Sequence, residues 1–171
     1  MNASFLLSDK GIVHADVLTI RNRIRQVENE TPVAFLATLS DHAVNLGANQ
    51  NIAFDNVITN VGNAYNSHAG VFIAPVSGIY VFSTSIMSYQ NTRTHYAFER
   101  NGNIVMRLFY NGDDLLAYDT TGSTITLQLS KGDDVAVVNG DLDNDVHGNH
   151  YSSITGFLLQ EIYDDTTVVG K

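Results

Sequence analysis

A chain of 171 residues has room for one compact domain and little more, and its 44% hydrophobic content excludes a largely disordered protein. The net charge of −9 argues against nucleic-acid phosphate or anionic lipid as partners, and the absence of cysteine removes disulfide frameworks, thiolate catalysis and Cys-ligated zinc. No apolar run approaches the ~20 residues of a membrane helix, so no membrane insertion is expected.

At the N-terminus, Phe5-Leu6-Leu7 is too short for the apolar region of a secretory signal, and no basic stretch precedes it. Either the chain is intracellular or a leader has been removed. Leu6, Val13, Val17, Ile20, Ile24 and Val27 then follow at steps of seven, four, three, four and three. That is a heptad seam with Val17 and Ile24 at a, and Leu6, Val13, Ile20 and Val27 at d; only Lys10 breaks it. Asp16 and Arg23 fall at g, Arg21 and Glu28 at e, so a parallel pair of helices sets opposite charges against each other. The same spacing would serve an amphipathic helix packed on its own domain, but the matching charges favour a coiled coil. β-Branched residues at d shift its preference from two strands toward three or four. Pro32 ends the segment, because it disfavours helical geometry at Thr31. The expected organisation is a coiled-coil segment at 1–31, a head at 32–163 and a tail at 164–171.

From Val33 onward the pattern changes to short strands broken by Asn, Gly and Asp. Along Ile79 to Met87, Tyr80, Phe82, Thr84 and Ile86 share one face, while Ile79 and Val81 make the other face apolar at one end. That end is expected to be buried on both sides, by the core and by another subunit. Asn101-Gly102 signals a hairpin between Tyr96–Arg100 and Ile104–Leu108, and Asn111-Gly112 a second turn. Thr124 to Leu129 alternates, Val135 to Val138 is mostly apolar, and 150–162 reads as the last long strand. Many short strands at such intervals mean an all-β sandwich or barrel.

Phe54, Asn60, Tyr65, Phe72, Gly78, Tyr80 and Phe82 form an aromatic–glycine framework that resembles the signature of the globular head of the C1q family, within the wider C1q/tumour-necrosis-factor group. Thr84 departs from it, standing where the family puts Phe or Tyr. Val33-Ala34-Phe35-Leu36-Ala37 looks like the opening strand, Lys131-Gly132-Asp133-Asp134-Val135 like a late turn, and Ser152 to Leu159 like the closing strand. The resemblance implies a ten-strand jelly-roll β-sandwich, a homotrimer, secretion, and binding rather than catalysis. Oligomerisation would then involve Val13, Val17, Ile20, Ile24 and Val27.

The candidate sites are weaker. No Gly-x-Ser-x-Gly elbow, His-Glu-x-x-His helix or glycine-rich phosphate loop occurs. The histidines, His14, His42, His68, His95, His147 and His150, are scattered and read as loop residues, although imidazole suits zinc or another transition metal. Asp141, Asp143 and Asp145 alternate like the start of an EF-hand loop, but Val146 stands where its glycine belongs. Some C1q relatives place calcium near the trimer apex, which by resemblance points to Asn111, Asp113 and Asp119 as Ca2+ ligands. Asn2-Ala3-Ser4 and Asn29-Glu30-Thr31 match the glycosylation pattern.

No Gly-x-y series exists, so the collagen-like stalk of complement is missing. The pattern looks like stalkless, lectin-like C1q-domain proteins of bivalve molluscs, which implies multivalent binding of microbial glycans in innate defence. The alternatives are an extracellular calcium or heavy-metal binder linked to biomineralisation, and a cytokine-like receptor ligand.

Overall fold

The expected strands form, and they stack in two antiparallel sheets. The computed structural model describes residues 17, 19–21, 32–88, 93–111 and 118–163. The first sheet holds β1 (Ala34–Thr38), β2 (Ala43–Leu46), β4 (Asn56–Val61), β7 (Gly78–Ser88), β10 (Asp119–Leu129), β12 (Asn144–Val146) and β13 (Ser153–Glu161). The second holds β3 (Gln50–Asn51), β5 (Tyr65–Asn66), β6 (Val71–Ile73), β8 (Arg93–Arg100), β9 (Asn103–Asn111) and β11 (Asp134–Asn139). Among the described residues that makes thirteen strands rather than ten, of which β3 and β5 are two residues long and β6 and β12 three. The all-β jelly-roll sandwich is the architecture that the sequence implied.

β7 organises the first sheet. β10 pairs along one edge of it for its whole length, from Leu129↔Gly78 to Asp119↔Ser88. β13 lines the other edge from Glu161↔Gly78 to Ser153↔Ser85, and β12 continues that edge at Val146↔Ser88. β1 and then β4 extend the sheet beyond β13. The strict alternation of β7 sends Tyr80, Phe82, Thr84 and Ile86 into the core and leaves Ile79, Val81 and Met87 half-buried on the outward face.

The aromatic framework is the centre of the core. Phe35 stacks on Tyr65 at 4.7 Å and on Phe72 at 5.5 Å, and Phe72 meets Phe82 edge-on at 5.1 Å. Tyr65 is fixed at both ends: its main chain is bracketed by the Asn60 amide, and Phe54 N–H donates to its hydroxyl at 3.2 Å. Burial pushes that phenol well above its ordinary range. Gly156 lets the rings close up, since a Cβ there would lie 2.5 Å from Phe82 and 2.6 Å from Phe35. Thr84, the departure from the framework, is buried and donates its hydroxyl to the Ser153 carbonyl at 2.8 Å. A polar side chain is tolerated there because it has that partner.

The local readings fare differently. Asn101 and Gly102 do turn the β8–β9 hairpin, with φ of 50° and 70°. The Asn111-Gly112 turn lies outside the described residues. The last strand starts at Ser153 rather than at His150, because Asn149 and His150 take φ of 52° and 65°, which no strand accommodates. A register shift between Leu158 and Gln160 also ends the simple alternation of its faces. Of the heptad seam, Val17 and Ile20 are described; both are exposed, in helical backbone. Val13, Ile24 and Val27 lie outside the described residues, as do both glycosylation triplets.

Candidate functional site

The register of the first sheet gives the head two distinct ends. β1 begins and β13 finishes near Gly78, with the Val33 carbonyl accepting from Leu158 N–H at 2.9 Å, so the chain enters and leaves at one end. The opposite end, where β7 finishes at Ser88, gathers the segment before β2, the start of β10 and the segment between β12 and β13. Because Ala43 pairs with Val146, the next residues outward, His42 and His147, become neighbours, and their ring centroids are 4.4 Å apart. Tyr118, just before β10, lies 4.9 Å from the His147 ring, and Tyr151 lies 5.3 Å from it. His147 is thus the hub of a four-ring cluster. Its burial and the neighbouring His42 hold its imidazole below the ordinary range.

The loop that presents His147 and Tyr151 is pinned along its length. His147 N–H donates to the Met87 carbonyl at 2.8 Å, Asn149 N–H to Ser40 at 2.9 Å and His150 N–H to Leu39 at 2.9 Å. Gly148 N–H donates to His42 Nδ1 at 2.9 Å, and the Ser152 hydroxyl to the His147 carbonyl at 2.7 Å. These bonds hold Asn149 and His150 in the left-handed region, a conformation that costs about 1–3 kcal/mol at each non-glycine residue. His150 turns away from the cluster, with Nδ1 2.9 Å from Thr38 Oγ1.

Beneath this end lies a buried polar network. The Asn144 amide donates to Thr94 Oγ1 at 2.7 Å, to Asn139 Oδ1 at 2.8 Å and to the Tyr96 hydroxyl at 3.2 Å. The Asn139 amide reaches the carbonyls of Gly47 at 3.0 Å and Leu46 at 3.3 Å, and that of Asp141. Tyr96 donates to Ser88 Oγ at 3.2 Å. Each of these side chains is buried and bonded, which fixes the spacing of the loops above.

The sequence-predicted acids are distributed among separate partners. Asp141 accepts from His95 N–H at 2.8 Å and lies 3.1 Å from His95 Nδ1. Burial pushes the Asp141 carboxyl up, but the hydrogen bonds from His95 and Thr94 outweigh it and hold it below the usual range. Asp145 accepts from Asn45 N–H at 2.7 Å, and Asp143 sits at φ 54° on an exposed turn. Asn111 ends β9 and Asp119 begins β10, both exposed, and Asp119 N–H donates to the Tyr110 hydroxyl at 3.3 Å. Asp113 lies outside the described residues. Among the described residues, no three His, Asp or Glu side chains come together to hold a metal. His42 also fits such a role poorly, since its Nδ1 accepts a hydrogen bond where a metal-bound imidazole donates one. The ring cluster itself went unread in the sequence. His42 and His147 are joined only by the β2–β12 pairing, and β12 is too short to be seen as a strand.

A second surface of interest is the outward face of the first sheet. Ladder partners place Val61, Ala34, Phe157 and Val81 in one row, and Thr59, Leu36, Thr155 and Ser83 in the next. Phe157, 43% exposed, lines a shallow depression of about 310 Å³ together with Ala34, Leu36, Thr59 and Thr155, and Leu159 is 60% exposed. Among the described residues, no helix is long and apolar enough to cross a membrane.

Comparison with known proteins agrees with this architecture. The chain is 37% identical over 138 residues to mouse complement C1q tumor necrosis factor-related protein 3, covering 79% of this chain and 54% of that protein. It therefore spans about half the length of that relative. It is 30% identical over 149 residues to heavy metal-binding protein HIP of Mytilus edulis, covering 86% of this chain and 69% of that one. The globular domain of zebrafish complement 1qA superposes with a TM-score of 0.65 at 16% identity, over 76% of this chain and 99% of that one. Residues 34–159 match the family model of the C1q domain, and the chain belongs to the C1q domain family.

Proposed function

We propose that this chain is a secreted recognition protein whose heads associate as a homotrimer and bind microbial glycans multivalently, without catalysis. The observation that carries the reading is the outward face of the first sheet. Contiguous exposed apolar surface on a soluble domain marks an interaction site. Here it lies on the layer centred on β7, where Val61 and Phe157 stand exposed on either side of Ala34 and Leu159 is exposed further along β13. Two further copies turning the same sheet toward a threefold axis are the simplest cover, and the β-branched d positions at 1–31 shift preference in the same direction, from two strands toward three or four. Three heads on one particle raise weak individual affinities through effective concentration. In this reading residues 1–31 are the coiled coil, 32–163 the head and 164–171 a tail. Two measurements test it: light scattering, expected to give about three times 18.7 kDa, and binding of the oligomer to immobilised microbial polysaccharide. A stable monomer, or no binding, would overturn it.

A second reading is favoured by the name of the Mytilus relative, a heavy metal-binding protein. In it this chain carries metal, with calcium as the hard-cation case at Asn111, Asp113 and Asp119. A cation bound only by the native state raises the melting temperature by mass action. Replacing Asp113 and Asp119 by Asn should then erase the rise. Absence of any shift with millimolar calcium or zinc, after chelator treatment, would dismiss this reading.

A further inference from the structure

The four-ring cluster at the end of the head opposite the chain's entry and exit has no role in the core. Tyr118 is 48% exposed and Tyr151 58%, and the half-buried His147 lies against both rings. The tyrosines are tilted 57° and 58° to that imidazole. The group is therefore a faceted platform, not a box that could enclose a cation. Two further observations set it apart from ordinary surface aromatics. Its loop carries consecutive non-glycine residues, Asn149 and His150, in the left-handed region, and backbone strain of this kind concentrates where geometry serves a site. The loop is also held by hydrogen bonds to Leu39, Ser40, His42 and Met87, so the backbone that carries His147 and Tyr151 is fixed before any ligand arrives.

We propose that Tyr118, His147 and Tyr151, braced by His42, form a saccharide-binding platform. The C–H face of a pyranose packs on a tyrosine ring. The sugar hydroxyls are met by the tyrosine hydroxyls and by the exposed Asn149 amide, which both donates and accepts. Rigid tyrosines suit such contacts because few rotamers are lost on binding. The platform deepens the glycan reading above and rests on it, by naming the site.

The test uses the full-length oligomer and three immobilised probes: yeast mannan, β-1,3-glucan and bacterial peptidoglycan. Tyr118→Ala, Tyr151→Ala and the double variant are compared with Phe109→Ala, an exposed aromatic on β9 of the second sheet whose ring lies against His95. Retained melting temperature and oligomer mass show that each variant is folded. The double variant is expected to lose at least about tenfold in apparent affinity for whichever probe the native protein binds, since both stacking faces are removed and the loss repeats in every head. Phe109→Ala should bind as the native protein does, and Tyr151→Phe, which keeps the ring, should stay within about threefold. Undiminished binding by the double variant would overturn the platform and leave the glycan reading standing. A native oligomer that binds none of the three probes would overturn both.

Discussion

Asn144 donates its side-chain amide to Asn139 Oδ1 at 2.8 Å in the interior of the sandwich, and that bond joins β12 of one sheet to β11 of the other. Removing the amide with Asn144→Ala leaves Thr94, Tyr96 and Asn139 each short of a partner. The expected cost is about 1–3 kcal/mol, the usual penalty for stranding a buried polar group. Denaturant unfolding checks it, and a variant as stable as the native head would show that the network is dispensable.

Gly156→Ala should be as harmful for a different reason. The added methyl must displace Phe82 or Phe35, both packed against the glycine on the core side. Overpacking of this kind costs about 1–3 kcal/mol. Thermal unfolding reads the loss, and an unchanged melting temperature would mean that the rings can slide apart freely.

Assembly can be separated from folding. Phe157→Glu with Leu159→Glu places two charges on a face already open to solvent in the single head, so the fold should survive. If that face joins the copies, light scattering should show the mass falling from trimer toward monomer. Deleting residues 1–30 should weaken the trimer without abolishing it. A double-glutamate variant that stays fully trimeric would move the interface elsewhere.

The lowered His147 titration has a definite sign. Below its ordinary value of 6.5 the unfolded chain takes up a proton that the native head resists. Stability contributed by the neutral ring is present above that value. It is lost as pH falls toward the depressed native value, and levels off below it. Melting temperature followed from pH 8 to pH 5 should therefore decline through this window, and His147→Gln should flatten that part of the curve. An identical decline in the variant would assign the effect to other groups.

What could be read in the sequence and what could not divide along physical lines. The core was legible because Tyr65, Phe72, Tyr80 and Phe82 are fixed by alternation and spacing along a few strands, and burial enforces both. Thr84 looked like a flaw until its hydroxyl was found bonded to Ser153, a partner 69 residues away. The acids at 141, 143 and 145 suggested a shared site, yet one is bonded to β8 and another to the main chain of β2. Proximity in sequence does not converge side chains on a turn. The ring cluster was hidden for the converse reason, being assembled by a two-rung ladder between segments about a hundred residues apart.

The shared end at which β1 starts and β13 stops leaves the loops at the far end of the head free of any duty as connectors to the rest of the chain. Exposed side chains there can be exchanged while both tethers, and the face through which the copies would meet, stay as they are, so long as Gly148, where a Cβ would strike the Asp41 main chain, and the loop's main-chain bonds are kept. The head is in this sense a ready scaffold for display. New ligand-reading side chains placed between β12 and β13 would be carried outward, each repeated once per copy of the chain.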